Sequence, residues 1–409
     1  MKVVFLTDDF PPTSFGGAGI STYGLARGVA RDGHAVSIIT TCRKEGEAGE
    51  SKYEGLTVFR IQSAYHERWR AWLGVYNPPV VHQVKGLLSR LRPDAVHANN
   101  VHYHLSWASL KVAKQYAKRV VWTARDAMAF SYGKLDTPRY LETLDARLSW
   151  RDNLRQAGKR YNPLRNYIIK KYLGYVDLKC AVSSALAHAL EQNGIPDVEA
   201  MHTGIDVEAW QASEERVAEF RAKHALGGKK VCLFGGRLSG GKGGFQVLEA
   251  LALVAKKMPD AVLLVAGTAE GYAGGMQKRA GELGVGARIV FTGWVFGDDL
   301  HAAYGASDVV LVPSLYLDPL PRIVLEAMAS GRPVVGSRYG GSPEAIVDGV
   351  TGYIVDPRHA EHIAGKTLEL LRHPEKVVAF GRAGQERIRT HFNLDEVVGW
   401  YVGHYRARQ

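Results

Sequence analysis

Cysteine is scarce in this chain of 409 residues, which has only Cys42, Cys180 and Cys232. They lie far apart and form no CxxC pair, so neither a disulfide framework nor a cysteine-rich metal site is expected, and a reducing compartment fits. Long apolar runs are also missing: none approaches the ~18 residues of a membrane span. Asp8 and Asp9 end the first apolar run too early for a signal peptide. The sequence therefore predicts a soluble, cytoplasmic protein.

Several familiar binding signatures are absent as well. Neither half carries the full GxGxxG fingerprint, and no acidic residue ends the second strand candidate (35–41), so a nicotinamide site is disfavoured. The Walker A pattern GxxxxGK[ST] does not occur. The acidic pairs 8–9 and 298–299 are expected to cap a helix or to lie in loops, rather than to bind a metal. The sequence thus predicts neither a metal nor a cofactor.

The positive charge of the chain is confined to one half. The formal net charge is +11, and 46% of the residues are hydrophobic, which is ordinary for a globular protein. Residues 1–200 contain 28 Lys and Arg against 18 Asp and Glu, whereas the rest contains 24 against 23. Such an imbalance concerns partners rather than fold, and nucleic acid, an anionic membrane or an anionic substrate would each account for it.

Short apolar runs alternate with helix-length amphipathic segments in two successive series. The strand candidates are residues 2–7, 35–41, 57–61, 95–99, 120–123 and 178–183, then 230–235, 261–266, 288–292, 309–313 and 333–336. Apolar strands that alternate with helices indicate parallel sheets covered on both faces. We therefore predict an α/β protein with two Rossmann-like, doubly wound domains facing a cleft, residues 1–203 and 204–394, with a helix at 395–409 crossing back to the first.

Two glycine-rich loops follow strand candidates. In residues 8–19 (DDFPPTSFGGAG), glycines would let backbone N–H groups approach an anion at a helix N-terminus. Residues 234–243 (FGGRLSGGKG) place Arg237 and Lys242 in what looks like an exposed loop. Two cations there suit a diphosphate, although a solvated basic loop is an alternative.

Residues 318–329 (DPLPRIVLEAMA) form the sharpest pattern. Asp318 and Glu326 are eight positions apart, and a helix that begins near Leu320 would put Glu326 about two turns in, with Asp318 in the entering loop. A carboxylate among apolar residues needs hydrogen-bond partners. A ribose diol or a salt bridge would each supply them.

This pattern resembles the E-x7-E signature of retaining GT-B glycosyltransferases of family 4 (glycosyl transferases group 1), with Asp318 in place of the first glutamate. The match spans nearly the whole chain, in order. Other segments similar to that family are the glycine loop in residues 9–19, the turn 202–206 (HTGID), the Arg/Lys loop 236–243, and the turns 339–344 (YGGSPE) and 349–352 (GVTG).

The resemblance implies a metal-independent enzyme that moves a sugar from a nucleotide diphosphate-sugar to a hydroxyl group. Arg237 and Lys242 would hold the pyrophosphate and stabilise the leaving group. Glu326 would bind the ribose, and Asp318 would sit beside the transferred sugar. The other donor-binding residues that it implies are Gly16, Gly17, Gly293, Trp294, Leu320 and Pro321.

Residues 123–126 (TARD) occupy the position of the family's T-x-H-D motif, with Arg125 where histidine is expected. Arginine cannot titrate there but can bind phosphate or an anionic sugar. Arg125 and Asp126 join Asp318 as candidate catalytic residues. The departure keeps open a non-catalytic nucleotide-sugar-binding protein on the same scaffold, and a dehydrogenase ranks lower because it would need the missing fingerprint.

The candidate acceptor-binding residues lie in the basic half of the chain, residues 1–200. Residues 139–172 interleave arginines and lysines with aromatic residues, which fits an anionic acceptor, the inner face of the plasma membrane or a solvated helix face, and fits nucleic acid less well. His102, His104 and Arg165 are the candidate acceptor residues. The implied pathways are synthesis of cell-envelope glycan, lipopolysaccharide or glycolipid.

Overall fold

The computed structural model describes residues 1–12, 16–236, 238–267 and 271–406. Contacts between the described residues divide the chain into two compact units. Unit 1 comprises residues 1–140, 145–204 and the C-terminal segment from 394, and unit 2 comprises residues 141–144 and 205–393. Each unit is built on its own β-sheet, and elements are numbered in chain order.

The sheet of unit 1 has eight strands in the order β3-β4-β2-β1-β5-β6-β7-β8. Only β3 and β4 pair antiparallel; the other neighbours are parallel. The apolar runs of the central strands are buried, as a sheet covered on both faces requires. The strands are β1 (Lys2–Leu6), β2 (Ala35–Cys42), β3 (Gly49–Tyr53), β4 (Leu56–Gln62), β5 (Ala95–Ala98), β6 (Arg119–Ala124), β7 (Leu178–Ala181) and β8 (Val198–Ala200).

The helices of unit 1 include the last one of the chain. They are α1 (Gly17–Arg31), α2 (Arg70–Leu73), α3 (Pro78–Leu91), α4 (Ala108–Tyr116), α5 (Pro138–Thr143, which crosses the unit boundary), α6 (Trp150–Ala157), α7 (Arg165–Leu173), α8 (Ser184–Gln192) and α17 (Leu394–Tyr405). Helix α17 packs against α1. Its Tyr405 hydroxyl lies 2.6 Å from Nδ1 of the buried His97. His97 Nε2 lies 2.8 Å from Thr123 Oγ1, so both ring nitrogens have partners within the fold and His97 is structural.

The sheet of unit 2 has six parallel strands in the order β11-β10-β9-β12-β13-β14. Counted from β9, this is the 3-2-1-4-5-6 order of a doubly wound dinucleotide-type sheet. The strands are β9 (Lys230–Gly235), β10 (Ala261–Ala266), β11 (Ile289–Gly293), β12 (Val309–Val312), β13 (Val334–Ser337) and β14 (Gly352–Val355). Their apolar side chains form one buried core with the covering helices.

The helices of unit 2 are α9 (Glu214–Lys223), α10 (Gly244–Ala255), α11 (Tyr272–Glu282), α12 (Asp298–Gly305), α13 (Arg322–Ala329), α14 (Ser342–Ala345), α15 (Ala360–Arg372) and α16 (Pro374–His391). Helix α13 begins at Arg322 rather than near Leu320, because Pro321 is extended (φ −62°, ψ 117°) and caps the helix. Glu326 therefore lies one turn into the helix instead of two. Within the described part of the chain, no helix is both long and apolar enough to cross a membrane.

Each sheet has one point where the strand order reverses, between β1 and β5 in unit 1 and between β9 and β12 in unit 2. Ligands of open α/β sheets bind outside the carboxyl ends of the strands at such points. The loops after β1 and β5 begin at Thr7 and Asn99, and those after β9 and β12 begin at Gly236 and Pro313. Among the described residues, seven of the fifteen predicted site residues lie in these loops, namely Gly16, His102, His104, Lys242, Asp318, Leu320 and Pro321.

Candidate active site

A buried ion pair stands at the reversal point of unit 2. Lys242 Nζ lies 2.6 Å from Asp318 Oδ2, and the same oxygen accepts a hydrogen bond from Ser314 Oγ at 2.8 Å. The two charged side chains are only 21% and 8% exposed. Burial alone would lower the pKa of Lys242, but the Asp318 carboxylate and the Tyr316 hydroxyl outweigh it and raise that pKa above its usual value. Lys242 is therefore a fixed cation.

The glycines around Lys242 explain how its loop reaches Asp318. Lys242 ends a short 3-10 turn, and Gly243 follows with φ +80°, where a Cβ would lie 2.2 Å from the Pro313 carbonyl oxygen. Leu315 N donates to Gly241 O at 2.8 Å and ties this loop to the one after β12. The expectation that the loop is exposed is wrong for Lys242. Arg237, the second predicted cation, lies outside the described residues.

Glu326 is held on the buried side of α13 by two donors. Tyr304 Oη donates to Glu326 Oε2 at 2.8 Å, and Arg322 Nε donates to Oε1 at 3.0 Å. Tyr304 is fully buried, and Glu326 is 13% exposed. The salt-bridge alternative from the sequence is thus present, and the carboxylate keeps acceptor capacity because each oxygen has two lone pairs.

The other predicted donor residues of unit 2 follow strand ends. Gly293 ends the edge strand β11 with φ +72°, and Trp294 after it is 39% exposed. Leu320 is buried, and Pro321 caps α13. In unit 1, Gly16 and Gly17 begin helix α1, and the preceding loop residues 13–15 lie outside the described part of the chain.

Asp8 lies in the loop after β1, as the sequence predicted, and is buried at the reversal point of unit 1. Its carboxylate accepts three backbone N–H groups, from Tyr103 at 2.7 Å, His104 at 2.8 Å and Leu105 at 2.7 Å. Burial raises the pKa of Asp8 to about 7, against the effect of the three amides. Asp8 therefore fixes the loop that carries His102.

The two histidines of that loop have different surroundings. His102 Nε2 lies 3.6 Å from Asp126 Oδ2, and burial lowers the pKa of His102 to about 4. His104 Nδ1 lies 2.8 Å from Ser63 Oγ, and its ring stacks on Tyr65 with the ring centroids 4.2 Å apart. Burial lowers the pKa of His104 to about 3. The geometry joins His102 to Asp126 and gives His104 a packing role.

Arg125 lies after β6 and contacts neutral side chains. Its Nε donates to Asn99 Oδ1 at 2.8 Å, and its Nη1 donates to Thr203 Oγ1 at 3.2 Å. These bonds fix the guanidinium beside the loop after β5. Asp126, the next residue, accepts from Met128 N at 3.0 Å.

Arg165 is buried rather than part of a surface. Only 6% of the residue is exposed, and its guanidinium lies 4.6 Å from the Tyr132 ring centroid. It faces a solvent-open pocket that His102 also lines. Arg70 and Arg160 line the same pocket. The sequence predicted an anionic partner for residues 139–172, which include Arg160, but gave no sign that Arg70 lies beside them, because Arg70 is 90 positions away.

Sequence reasoning also missed Tyr304 as a partner of Glu326. A tyrosine in an apolar helix segment gives no sign of the partner that its hydroxyl finds. Among the residues that the structure describes, no group of three or more His, Cys, Asp or Glu side chains could hold a metal ion.

Two family models together match most of the chain. Residues 15–209 match Glycosyltransferase Family 4, and residues 216–387 match Glycosyl transferases group 1.

Individual relatives agree with these models. An uncharacterized glycosyltransferase of Methanocaldococcus jannaschii is 27% identical over 89% of this chain and 87% of its own length. The GDP-mannose-dependent alpha-(1-6)-phosphatidylinositol monomannoside mannosyltransferase of Mycolicibacterium smegmatis is 31% identical over 48% of this chain, and the match spans about half of that enzyme (52%).

A solved structure extends the likeness to the fold of nearly the whole chain. The Anabaena protein HepE in complex with UDP-glucose superposes with a TM-score of 0.74 at 19% identity, covering 98% of both chains. The two α/β units, whose sheets are parallel except for the β3–β4 pair, and the predicted GT-B architecture are thereby confirmed. The chain belongs to the group 1 glycosyl transferases of family 4 and is a glycosyltransferase of the GT-B fold that uses a nucleotide-sugar donor.

Proposed function

We propose that this chain is a retaining, metal-independent hexosyltransferase that acts on a hydroxyl acceptor in cell-envelope glycan, lipopolysaccharide or glycolipid synthesis. The observation that carries the proposal is the Lys242–Asp318 pair at the reversal point of unit 2, one loop away from Glu326 on α13. In this assignment unit 2 binds the donor and unit 1 binds the acceptor.

The donor chemistry follows from the charges of unit 2. Lys242 is a fixed cation that would exchange part of its interaction with Asp318 for diphosphate oxygens, which carry more negative charge. Asp318 would then be left beside the transferred sugar. Arg237 remains the predicted second cation of this site. Glu326 would accept from the ribose hydroxyls through its free lone pairs while Tyr304 and Arg322 hold it in place.

Arg125 and Asp126 are proposed to orient the reacting groups. Because the guanidinium stays protonated, Arg125 would stabilise negative charge rather than transfer a proton. Its bonds to Asn99 and Thr203 fix its direction in advance, which favours electrostatic stabilisation.

An anionic membrane is the proposed setting of unit 1. Arg151, Arg155 and Lys159 are exposed basic residues on and just after α6, and exposed apolar side chains lie among them. Asn162 Nδ2 donates to Ala71 O at 3.0 Å, so the residues around α2 pack against the residues that follow α6. The exposed apolar side chains of the two segments are Trp69, Trp72, Tyr76, Trp150, Leu154, Leu164 and Tyr167. Basic and aromatic side chains on one surface suit the interface of anionic lipid.

The test is release of nucleoside diphosphate from UDP-sugars and GDP-sugars, with and without acceptor extracts. UDP-glucose is bound to HepE, and GDP-mannose is the donor of the mycobacterial relative, so both belong in the panel. Glu326→Gln should raise KM for the preferred donor about tenfold, since a charge-assisted hydrogen bond is lost. Glu361→Gln, an exposed position in the first turn of α15, is the matched control.

The same assay separates the alternatives. Turnover that persists in EDTA supports the metal-independent reaction, and turnover that manganese or magnesium must restore contradicts it. A nucleotide sugar that raises Tm without any turnover would instead establish a non-catalytic binding protein.

A further inference from the structure

The pocket beside His102 in unit 1 is lined by three arginines. It lies beyond the carboxyl ends of β5 and β6, where a doubly wound sheet presents ligand-binding residues. Arg160 and Arg165 lie five residues apart, at and just before the start of α7, whereas Arg70 begins α2, so the fold brings Arg70 to the other two.

Arg165 is a buried cation without an ionic partner. Its Nη1 donates to Asn166 Oδ1 at 2.7 Å, and its Nη2 donates to the Met128 carbonyl oxygen. Within the described ranges no carboxylate oxygen lies within 4.0 Å of it, whereas burial lowers its pKa only to about 10. The group is thus charged at neutral pH, and a buried charge is costly unless an anion compensates it.

Arg70 presents its guanidinium with its donors unused. The guanidinium carbon lies 3.5 Å from the Tyr103 ring centroid, and this stacking orients the group without consuming an N–H. In the described part of the chain its side chain has no hydrogen bond and no ion pair. A planar fork with five donors matches phosphate oxygens in bidentate fashion.

Two carboxylates at the edge of the pocket do not cancel its positive charge. Glu67 Oε2 lies 3.5 Å from Arg160 Nη1, but the Glu67 side chain is 65% exposed, so the pair is loose. Asp126 lies on the His102 side at 3.6 Å and is itself partly exposed. Three guanidinium groups therefore face two peripheral carboxylates.

We propose that this pocket binds the phosphate group of a phosphorylated acceptor, carried by a soluble phosphate ester or by a phospholipid headgroup. A carboxylate has two oxygens to offer, whereas a phosphate monoester has three terminal oxygens for three guanidinium groups. The inference deepens the proposed function, on which it rests, because unit 1 is there the acceptor-binding unit.

The soluble source is tested with sn-glycerol 3-phosphate as the probe, glycerol as the uncharged control, and calorimetry on the full chain. Arg70→Gln should weaken binding at least about tenfold, as expected for a lost charge-assisted contact. Arg68→Gln is the matched control, two positions away, exposed and outside the pocket. Arg165→Gln should weaken binding further; if it does not fold, Arg70→Gln still decides the question.

The lipid source is tested by co-sedimentation with phosphatidylcholine vesicles, with and without phosphatidic acid. Binding that requires phosphatidic acid and falls much more in Arg70→Gln than in Arg68→Gln assigns the phosphate to a headgroup. Absence of binding to both probes, or equal effects of the two substitutions, overturns the proposal.

The outcome can be told apart from failure of the proposed function. If the chain turns over a nucleotide sugar but Arg70→Gln does not change affinity for either phosphate probe, only the pocket is wrong. If Arg70→Gln loses phosphate binding in a chain that turns over no donor, the pocket stands and the proposed function fails.

Discussion

Each unit holds a buried aspartate near its reversal point, and the two carboxylates have different kinds of hydrogen-bond partner. Asp318 of unit 2 is paired with the ammonium of Lys242 at 2.6 Å and with one hydroxyl. Asp8 of unit 1 accepts three backbone N–H groups instead, from Tyr103, His104 and Leu105. The Asp318 site therefore carries a cation that a ligand can recruit, whereas the Asp8 site fixes a loop.

This contrast separates the proposed donor site from a scaffold. An incoming diphosphate would be able to rearrange the ion pair between Lys242 and Asp318, since both partners are single side chains on loops. The three amides around Asp8 belong to the consecutive residues 103–105, so moving them would break the loop that positions His102. His102 of that loop also lines the basic pocket of unit 1.

The largest expected effect comes from removing the charge of Lys242. Lys242→Met keeps the length of the side chain but leaves Asp318 as an unpaired buried carboxylate, which should lower the free energy of unfolding of unit 2 by about 3–5 kcal/mol. Urea unfolding, with hydrogen exchange to assign the unit, measures the change. Adding Asp318→Asn should restore most of the stability because no uncompensated charge remains. A double variant as unstable as the single one would show that charge is not the cause.

A smaller loss is expected for Asp8→Ala. Three buried N–H groups would lose their acceptor, which should cost unit 1 on the order of 3 kcal/mol and speed hydrogen exchange at residues 103–105. Asp8→Asn is the matched control, because its carbonyl oxygen can still accept from His104 and Leu105. Unchanged exchange in the alanine variant would contradict the role of Asp8.

The pH dependence of the free energy of unfolding, compared between the wild-type chain and Asp8→Asn, is a further test of the role of Asp8. Burial raises the Asp8 pKa from 3.8 to about 7, so between these values the folded chain binds a proton that the unfolded chain has released. The free energy of unfolding should therefore fall as pH rises through this window, by on the order of 4 kcal/mol. His102 and His104, with lowered pKa values, give the opposite slope in both proteins and cancel in the difference between wild type and Asp8→Asn.

The sequence predicted the two sheets because apolar runs carry the strands, but it missed β3, β8 and β14. The β3 segment (GESKY) is polar and exposed, and β8 has only three residues, so neither shows an apolar run. Strand β14 (GYIV) has only four residues and begins with a glycine of the preceding turn, so its apolar run is too short to indicate a strand. Motif spacing indicated Lys242, Asp318 and Glu326, since those residues lie close in sequence to glycines and prolines.

Contacts between distant segments could not be predicted in this way. Arg70, Arg160 and Arg165 meet through the packing of loops, and the charge count alone placed Arg165 on a surface although it is buried. The hydrogen bonds of Asp8 could not be predicted because its partners lie about 95 residues further along the chain. Periodicity reports which face of an element is buried, but it does not report which element covers that face.

The smallest effect expected is that of one surface charge on membrane binding, and it tests the charge difference between the two units. Arg155 is exposed on α6, in the segment whose basic and aromatic side chains would face anionic lipid. A basic residue near such a surface contributes about 1 kcal/mol, so Arg155→Gln should weaken binding to vesicles of phosphatidylcholine and phosphatidylserine about fivefold. Lys257→Gln, also exposed but in the nearly neutral unit 2, is the control and should change nothing.

Binding to the anionic vesicles should also fall at high salt, because the Debye length shrinks from ~10 Å at 0.1 M to ~3 Å at 1 M. Equal binding to neutral and anionic vesicles would mean that the charge of unit 1 serves the acceptor pocket and not a membrane.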